Sequence, residues 1–285
     1  MKAALQHIAF PDIAYAIGWH KEQFADELVS EHMLFHILSG EMQLRDVSGE
    51  RMYRAGETVL VKRNHLVKCE SHPLRVGTPH EVIVFILDKE LLQDYAIKNH
   101  FHKTTEGVDA QGVISLEAKP SLMSLFESLM PYFKSSTLLT SVMKRHKLEE
   151  AILALLEQDN NLSEWLFNFN DPGKIDLREF MLRNYMFNIP VGKFAELTGR
   201  SVSTFQRDFF KIFGSKASHW LLKQRLQAAY DALSTGKRKP SDIYLETGFG
   251  DLSHFSKVFK KAYGYSPSAI VKNKKSIQEL LKSEK

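Results

Sequence analysis

A single cysteine, Cys69, stands among 285 residues. No internal disulfide can form, and the chain reads as one suited to a reducing compartment, the cytoplasm. No run of about 18 apolar residues is present, which argues against a membrane-spanning helix. The first twenty residues carry His7 and Asp12 where a secretory signal would need an unbroken apolar core. Charge excess is also small, with 38 Lys and Arg against 34 Asp and Glu. At 44% hydrophobic and 25% charged, the composition excludes a disordered or collagen-like chain. The length suits two domains of roughly 100–200 residues each.

The small net charge conceals an asymmetry. From Pro172 to Lys285 there are 21 Lys and Arg against 10 Asp and Glu, a balance of +11; the preceding residues hold 17 basic and 24 acidic side chains, a balance of −7. A basic back half is drawn to a polyanion, foremost nucleic acid. Charge alone leaves a membrane surface or a solvated basic face as alternatives.

Residues 30–88 contain short alternating or continuous apolar runs: 33–38, 41–44, 58–61 and 81–87. Turn formers separate them at Ser39-Gly40, Ser48-Gly49, Ala55-Gly56, Arg63-Asn64 and His72-Pro73. This spacing predicts an antiparallel sandwich or barrel, followed by a helical turn or two over 88–95. From Pro120 the period becomes helical through Leu122, Leu125, Phe126, Leu129 and Phe133. A second helix is predicted over about 138–158, with Leu148, Ile152, Leu155 and Leu156 on one face. Residues 168–173 form the best linker. No alternating stretch follows it.

The back half repeats itself. Thr198-Gly199 recurs as Thr247-Gly248 at an offset of 49, and Phe205, Phe209 and Gly214 recur as Phe255, Phe259 and Gly264 at an offset of 50. Each copy predicts a short helix, a glycine turn and a second helix. Ser201 and Asp251 are suited to cap the second helices. The phenylalanines, four apart, pin them inward, and Gly214 and Gly264 end them. The residues left outward are Ser203, Gln206 and Arg207 in one copy and Ser253, Ser256 and Lys257 in the other. The pattern fits paired helix-turn-helix units; a helical hairpin repeated only for packing is the competing reading.

On these residues the sequence resembles the AraC/XylS family of bacterial transcription regulators. The second copy carries the pattern through Gly248-Phe249, Ser253, Phe255, Phe259-Lys260-Lys261, Gly264 and Ser266-Pro267. The first carries it through Ala195, Gly199, Ser201, Arg207, Phe209 and Gly214, and the helix between through Arg225-Leu226, Ala229 and Leu233. The resemblance covers about residues 175–271, and the wording of 203–209 and 220–222 is most similar to the branch that includes type III secretion activators. It implies two helix-turn-helix units joined by a long helix over about 216–233, meeting successive major grooves about 34 Å apart. Two departures stand out in the first copy: Asp208 where the family has an apolar residue, and Phe210 where it has lysine. In the tail, Lys272 stands where an arginine contacting phosphate is usual.

The resemblance and the outward faces together name the expected DNA-binding residues. Arg207 is the first choice for reading a base, since a guanidinium can donate two hydrogen bonds to guanine O6 and N7; a phosphate contact or an ion pair with Asp208 is its alternative. Ser203 and Gln206 share its face, and Ser201, Thr204 and Lys211 complete the set. In the second copy the set is Leu252, Ser253, Ser256, Lys257, Lys260 and Lys261, with Leu252 able to touch a thymine methyl. Lys260, Lys261, Lys272, Lys274 and Lys275 suit phosphate contact. Arg225 is expected to hold structure.

Residues 31–87 weakly resemble a cupin-like barrel. The His-x-His pair and following Glu of a metal-bearing cupin are missing, and His65, Cys69, His72 and His80 follow no known zinc spacing, so neither metal nor cofactor is expected. The fold class expected is therefore multidomain. Residues 1–118 would be a cupin-like β-barrel or sandwich that senses a ligand or binds a partner. Residues 119–171 would be a helical linker and dimerisation element, and residues 172–285 an all-α DNA-binding domain with two helix-turn-helix motifs. The function expected is a sequence-specific transcription regulator, an activator, and not an enzyme. Its partners would be promoter DNA, a second copy of the chain and RNA polymerase, with a small-molecule effector or a regulatory protein at the front domain and no membrane. An adaptor controlled by a partner protein, or a cupin enzyme with a DNA-binding tail, are the alternatives.

Overall fold

The computed structural model describes residues 6–10, 12–20, 22–23, 27–75, 77–101, 112–135, 139–159, 161–169, 174–235 and 238–270. Most of the linker and the tail residues Lys272, Lys274 and Lys275 lie outside these. The chain divides into two compact units, Met1–Asn170 and Asp171–Lys285.

The first unit opens with β1 (Gln6–Phe10), β2 (Ile13–Gly18), β3 (Glu22–Gln23), β4 (Glu27–Val29), β5 (His32–Ser39) and β6 (Glu41–Asp46). It continues through β7 (Gly49–Arg54), β8 (Thr58–Val61), β9 (His65–His72), β10 (His80–Leu87), α1 (Lys89–Lys98) and β11 (Val113–Leu116). Helices α2 (Pro120–Ser135), α3 (Ser141–Leu156) and α4 (Leu162–Leu166) complete it. The strands form two antiparallel sheets, one ordered β1-β2-β10-β5-β8-β11 and the other β3-β9-β6-β7 with β4 also on β9.

Alternation along β5 and β8 decides the layering, because successive side chains point to opposite faces. Met33, Phe35, Ile37, Val59 and Val61 turn toward the second sheet and meet Val29, Met42, Leu44, Tyr53 and Val67. Leu34 and Leu60 turn the other way, with Ile13, Tyr15, Ile83 and Phe85, onto the helices. The first sheet is thus a middle layer covered on both faces, which is why β8 is buried at every residue.

The apolar stripes of α2 and α3 close this core. Leu122, Leu125, Phe126, Leu129 and Phe133 are all buried, and His36 stacks on Phe126 at 4.1 Å. The stripe expected to pair two chains needs correcting: Leu148 is 4% exposed, Ile152 and Leu155 are 0%, and Leu156 packs against the same cluster. Exposing such side chains would forfeit about 1.5–3 kcal/mol each. Their place is in the core of their own unit, and the segment belongs to that unit.

The second unit is all helical among the described residues: α5 (Leu177–Asn184), α6 (Val191–Leu197), α7 (Val202–Phe213), α8 (Ala217–Ser234), α9 (Pro240–Glu246) and α10 (Leu252–Tyr263). At 18 residues, α8 is about 27 Å long and is shared between the copies. Its first turns place Trp220 against Phe209 and Phe213. Its last turns place Leu226, Ala229 and Leu233 against Ile243, Phe255 and Phe259. Among the described residues, no helix is long and apolar enough to cross a membrane.

Candidate nucleic-acid interface

The two repeats become two matching devices: α6–α7 and α9–α10. Each first helix ends on a buried threonine whose hydroxyl donates back to the carbonyl four residues earlier. These bonds are Thr198 to Phe194 and Thr247 to Ile243, both 2.9 Å. A glycine with positive φ follows each, Gly199 and Gly248. Each second helix starts on a side-chain cap: Ser201 Oγ accepts from the Thr204 amide at 3.3 Å, and Asp251 Oδ1 accepts from the His254 amide at 2.6 Å. Each ends on a left-handed glycine, Gly214 or Gly264. Phe205, Phe209, Phe255 and Phe259 are all fully buried. With the phenylalanines fixed inward, the residues one turn apart on the opposite side must face out.

That outward face carries the residues expected to contact DNA. Ser203, Gln206 and Arg207 on α7 are exposed, as are Leu252, Ser253, Lys257, Lys260 and Lys261 on α10, while Ser256 is half-buried. Ser201 is occupied by its cap and by a 3.0 Å bond to the Thr204 hydroxyl, so this pair shapes the start of α7. Lys211 is exposed but lies outside the residues that line the face below.

Sequence reasoning missed the walls around α7. Ser203, Gln206, Arg207 and Phe210 line a concave surface of about 540 Å³ together with Val191 at the start of α6 and Lys216, Ala217 and Ser218 at the start of α8. Only the tertiary turn brings these starts alongside α7; no local motif announces them. A second cleft of about 370 Å³ lies between the copies, lined by Asn188, Pro190, Leu222, Arg225, Phe249 and His254 among others.

The electrostatics of α7 turn on Arg200. Its guanidinium donates to the carbonyls of Thr198 and Ile175 and to Asp208 Oδ2 at 3.3 Å. Partial desolvation alone would raise the Asp208 carboxyl. The Arg200 hydrogen bond and the charges of Arg207, Arg200 and Lys174 outweigh that and hold it below its ordinary value. Asp208 is therefore the partner of Arg200. Arg207 stands further off, its Nε 3.7 Å from Asp208 Oδ1 in the ion pair that was the alternative for it, and its side chain is 67% exposed.

Arg225 fixes one copy to the other. Its Nε donates to Tyr185 O and its Nη2 to Phe187 O, both at 2.8 Å, so the helix shared by both copies grips the chain entering α6. Gly248, at φ +89°, sits beneath it: a Cβ there would fall 2.6 Å from Met186 O and 2.8 Å from Arg225 Nε. The turn of the second copy closes only on glycine.

The front-half histidines have other duties. His65 Nε2 lies 2.8 Å from Asp46 Oδ2, and His72 Nε2 lies 3.3 Å from Gln43. Burial, with the neighbouring His72, pushes the His80 imidazole down to about 4. Among the described residues, no group of three or more His, Cys, Asp or Glu is placed to hold a metal ion.

Comparison with known proteins agrees with the helical geometry. Residues 194–273 match a helix-turn-helix domain model, and residues 32–164 match the ExsA N-terminal regulatory domain. The chain is similar to the HTH-type transcriptional regulator ExsA of Pseudomonas aeruginosa, at 22% identity over 88% of this chain and 89% of that protein. It is also similar to the thermoregulatory protein LcrF of Yersinia pestis, at 28% identity over 45% of this chain and 48% of that one. Among solved structures, wild-type ToxT of Vibrio cholerae matches over 92% of this chain and 95% of its own, with 14% identity and a TM-score of 0.43.

Proposed function

We propose that the chain is an AraC-type DNA-binding transcription regulator, similar to the type III secretion activators and not an enzyme, and that it activates transcription by setting α7 and α10 into successive major grooves of one promoter face. The observation that carries this reading is the matched pair of capped helices with their phenylalanines buried and their polar and basic faces outward. In this reading Arg207 reads a base, Ser203 and Gln206 flank it, and Ser253, Lys257, Lys260 and Lys261 hold the second helix, mainly through phosphates. The +11 balance of the back half supplies the attraction.

The name of a further relative, the virulence regulon transcriptional activator VirF of Yersinia enterocolitica, 28% identical over 45% of this chain and 48% of that protein, supports activation as the direction of control. The match to a regulatory domain over 32–164 supports control through the first unit, by a protein or a small effector, with RNA polymerase as the downstream partner. Pairing of two chains would raise effective concentration at adjacent half-sites, but through a face other than the buried α3 stripe. A cytoplasmic location accords with the single cysteine.

The test is duplex binding by the full chain as salt rises. Neutralising four phosphates would cost roughly 100-fold in affinity between 50 and 200 mM salt, through counterion release. Binding that ignores salt, or none at any salt, contradicts the reading.

A further inference from the structure

The outward stripe of α7 has a fourth member that does not fit a purely polar role. Ser203, Gln206, Arg207 and Phe210 follow each other at i, i+3, i+4 and i+7, which is one helical face, and all four line the same concave surface. Phe210 is 57% exposed, while its neighbours Phe205 and Phe209 are 0%. At the equivalent register in the second copy, 50 residues on, stands exposed Lys260. A lysine there serves a phosphate. A phenyl ring cannot, and a ring left in water gains from any apolar surface that covers it.

DNA offers one such surface in the major groove, the C5 methyl of thymine, and phenylalanine is among the side chains that contact it. Phe210 lies three residues beyond Arg207, about 4.5 Å along the helix axis, close to the roughly 3.4 Å between successive bases on a strand. A guanidinium seated on a guanine would carry the ring to a base one or two steps away. We propose that Phe210 is a specificity-determining residue of the first helix-turn-helix. Its exposed ring selects a thymine, through the methyl group, beside the guanine that Arg207 reads. The inference rests on the DNA-binding reading and adds to it a base preference set by an apolar contact where the second copy has a cation.

Removing the methyl alone tests it. Preferred duplexes are first selected by the full chain from a random library, and each thymine is then exchanged singly for deoxyuridine. One position should weaken binding about three- to tenfold, in keeping with the small free energy of one buried methyl. The variant Phe210→Ala should bind the thymine and uracil duplexes equally. Phe210→Lys, which restores the residue type of the second copy, should also lose the distinction while binding all sequences more tightly at low salt. Because the side chain is exposed, both variants should melt with the wild type.

The proposal is overturned if the wild type tolerates every exchange, or if Phe210→Ala keeps the full preference for thymine. A Phe210→Ala chain that binds DNA as the wild type does but no longer activates transcription would assign the ring to a protein partner, and would also overturn it. Failure of the wild type to select any duplex would bring down the DNA-binding reading and this one together. Intact guanine discrimination by Arg207 with no effect of uracil would bring down this one alone.

Discussion

The two helix-turn-helix copies share a skeleton and differ in skin. Both end the first helix on a back-bonded threonine, cap the second through an oxygen side chain and bury two phenylalanines completely. Outside, α7 presents Ser203, Gln206, Arg207 and Phe210, a stripe with one cation and one aromatic ring. Residues 253, 256, 257 and 260 of α10 are Ser, Ser, Lys and Lys. Arginine has a planar fork matched to a guanine edge, whereas lysine is a point charge suited to phosphate. Under the proposed function, the difference divides labour within a duplicated fold: one helix to discriminate bases, the other to hold the backbone.

The largest expected effect probes the shared skeleton. Phe205→Ala and Phe255→Ala each empty a fully buried site, and each should cost about 3–5 kcal/mol of stability, read by chemical unfolding. Near-equal losses sharpen the equivalence of the two scaffolds. A loss below about 1 kcal/mol in either copy breaks it.

Next comes the tie between them. Arg225→Met removes two hydrogen bonds from a guanidinium to backbone carbonyls and should cost about 2–3 kcal/mol. Because Arg225 joins the helix shared by both copies to the segment entering α6, affinity for a full site should fall more than affinity for a half-site. Equal losses on both would show that the copies act without a fixed relation.

The skeleton was legible in the sequence because its residues act locally. A cap, a phenylalanine pair and a left-handed glycine each mean the same thing wherever they occur, and their recurrence at a fixed offset made the reading firm. Strands β5, β6, β8 and β10 were legible for the same reason, through alternation and turn formers. Strands β3, β4 and β11 were not, since they have only two to four residues and pair with segments distant in the chain. The α3 stripe shows the limit most plainly. Periodicity marks Leu148, Ile152 and Leu155 for burial, but says nothing of what buries them, and the core of their own unit does so. Likewise, Asp208 stands out in the sequence only as a departure from the family, and its partner Arg200, eight residues earlier, lies across the turn. The concave surface around α7 depends on the starts of α6 and α8 coming together, which no local pattern records.

The division of labour itself is tested most directly by a base-by-base substitution scan of a preferred duplex, with affinities measured for the full chain and for Arg207→Ala and Lys257→Ala. The account predicts penalties of roughly 1–3 kcal/mol at a few positions within one major groove, with one guanine's penalty abolished by Arg207→Ala. Positions in the neighbouring groove should matter little, and Lys257→Ala should weaken every sequence alike while reducing the salt slope by about one. Equal penalties in both grooves, or a base preference that disappears with Lys257 and survives the loss of Arg207, would contradict it.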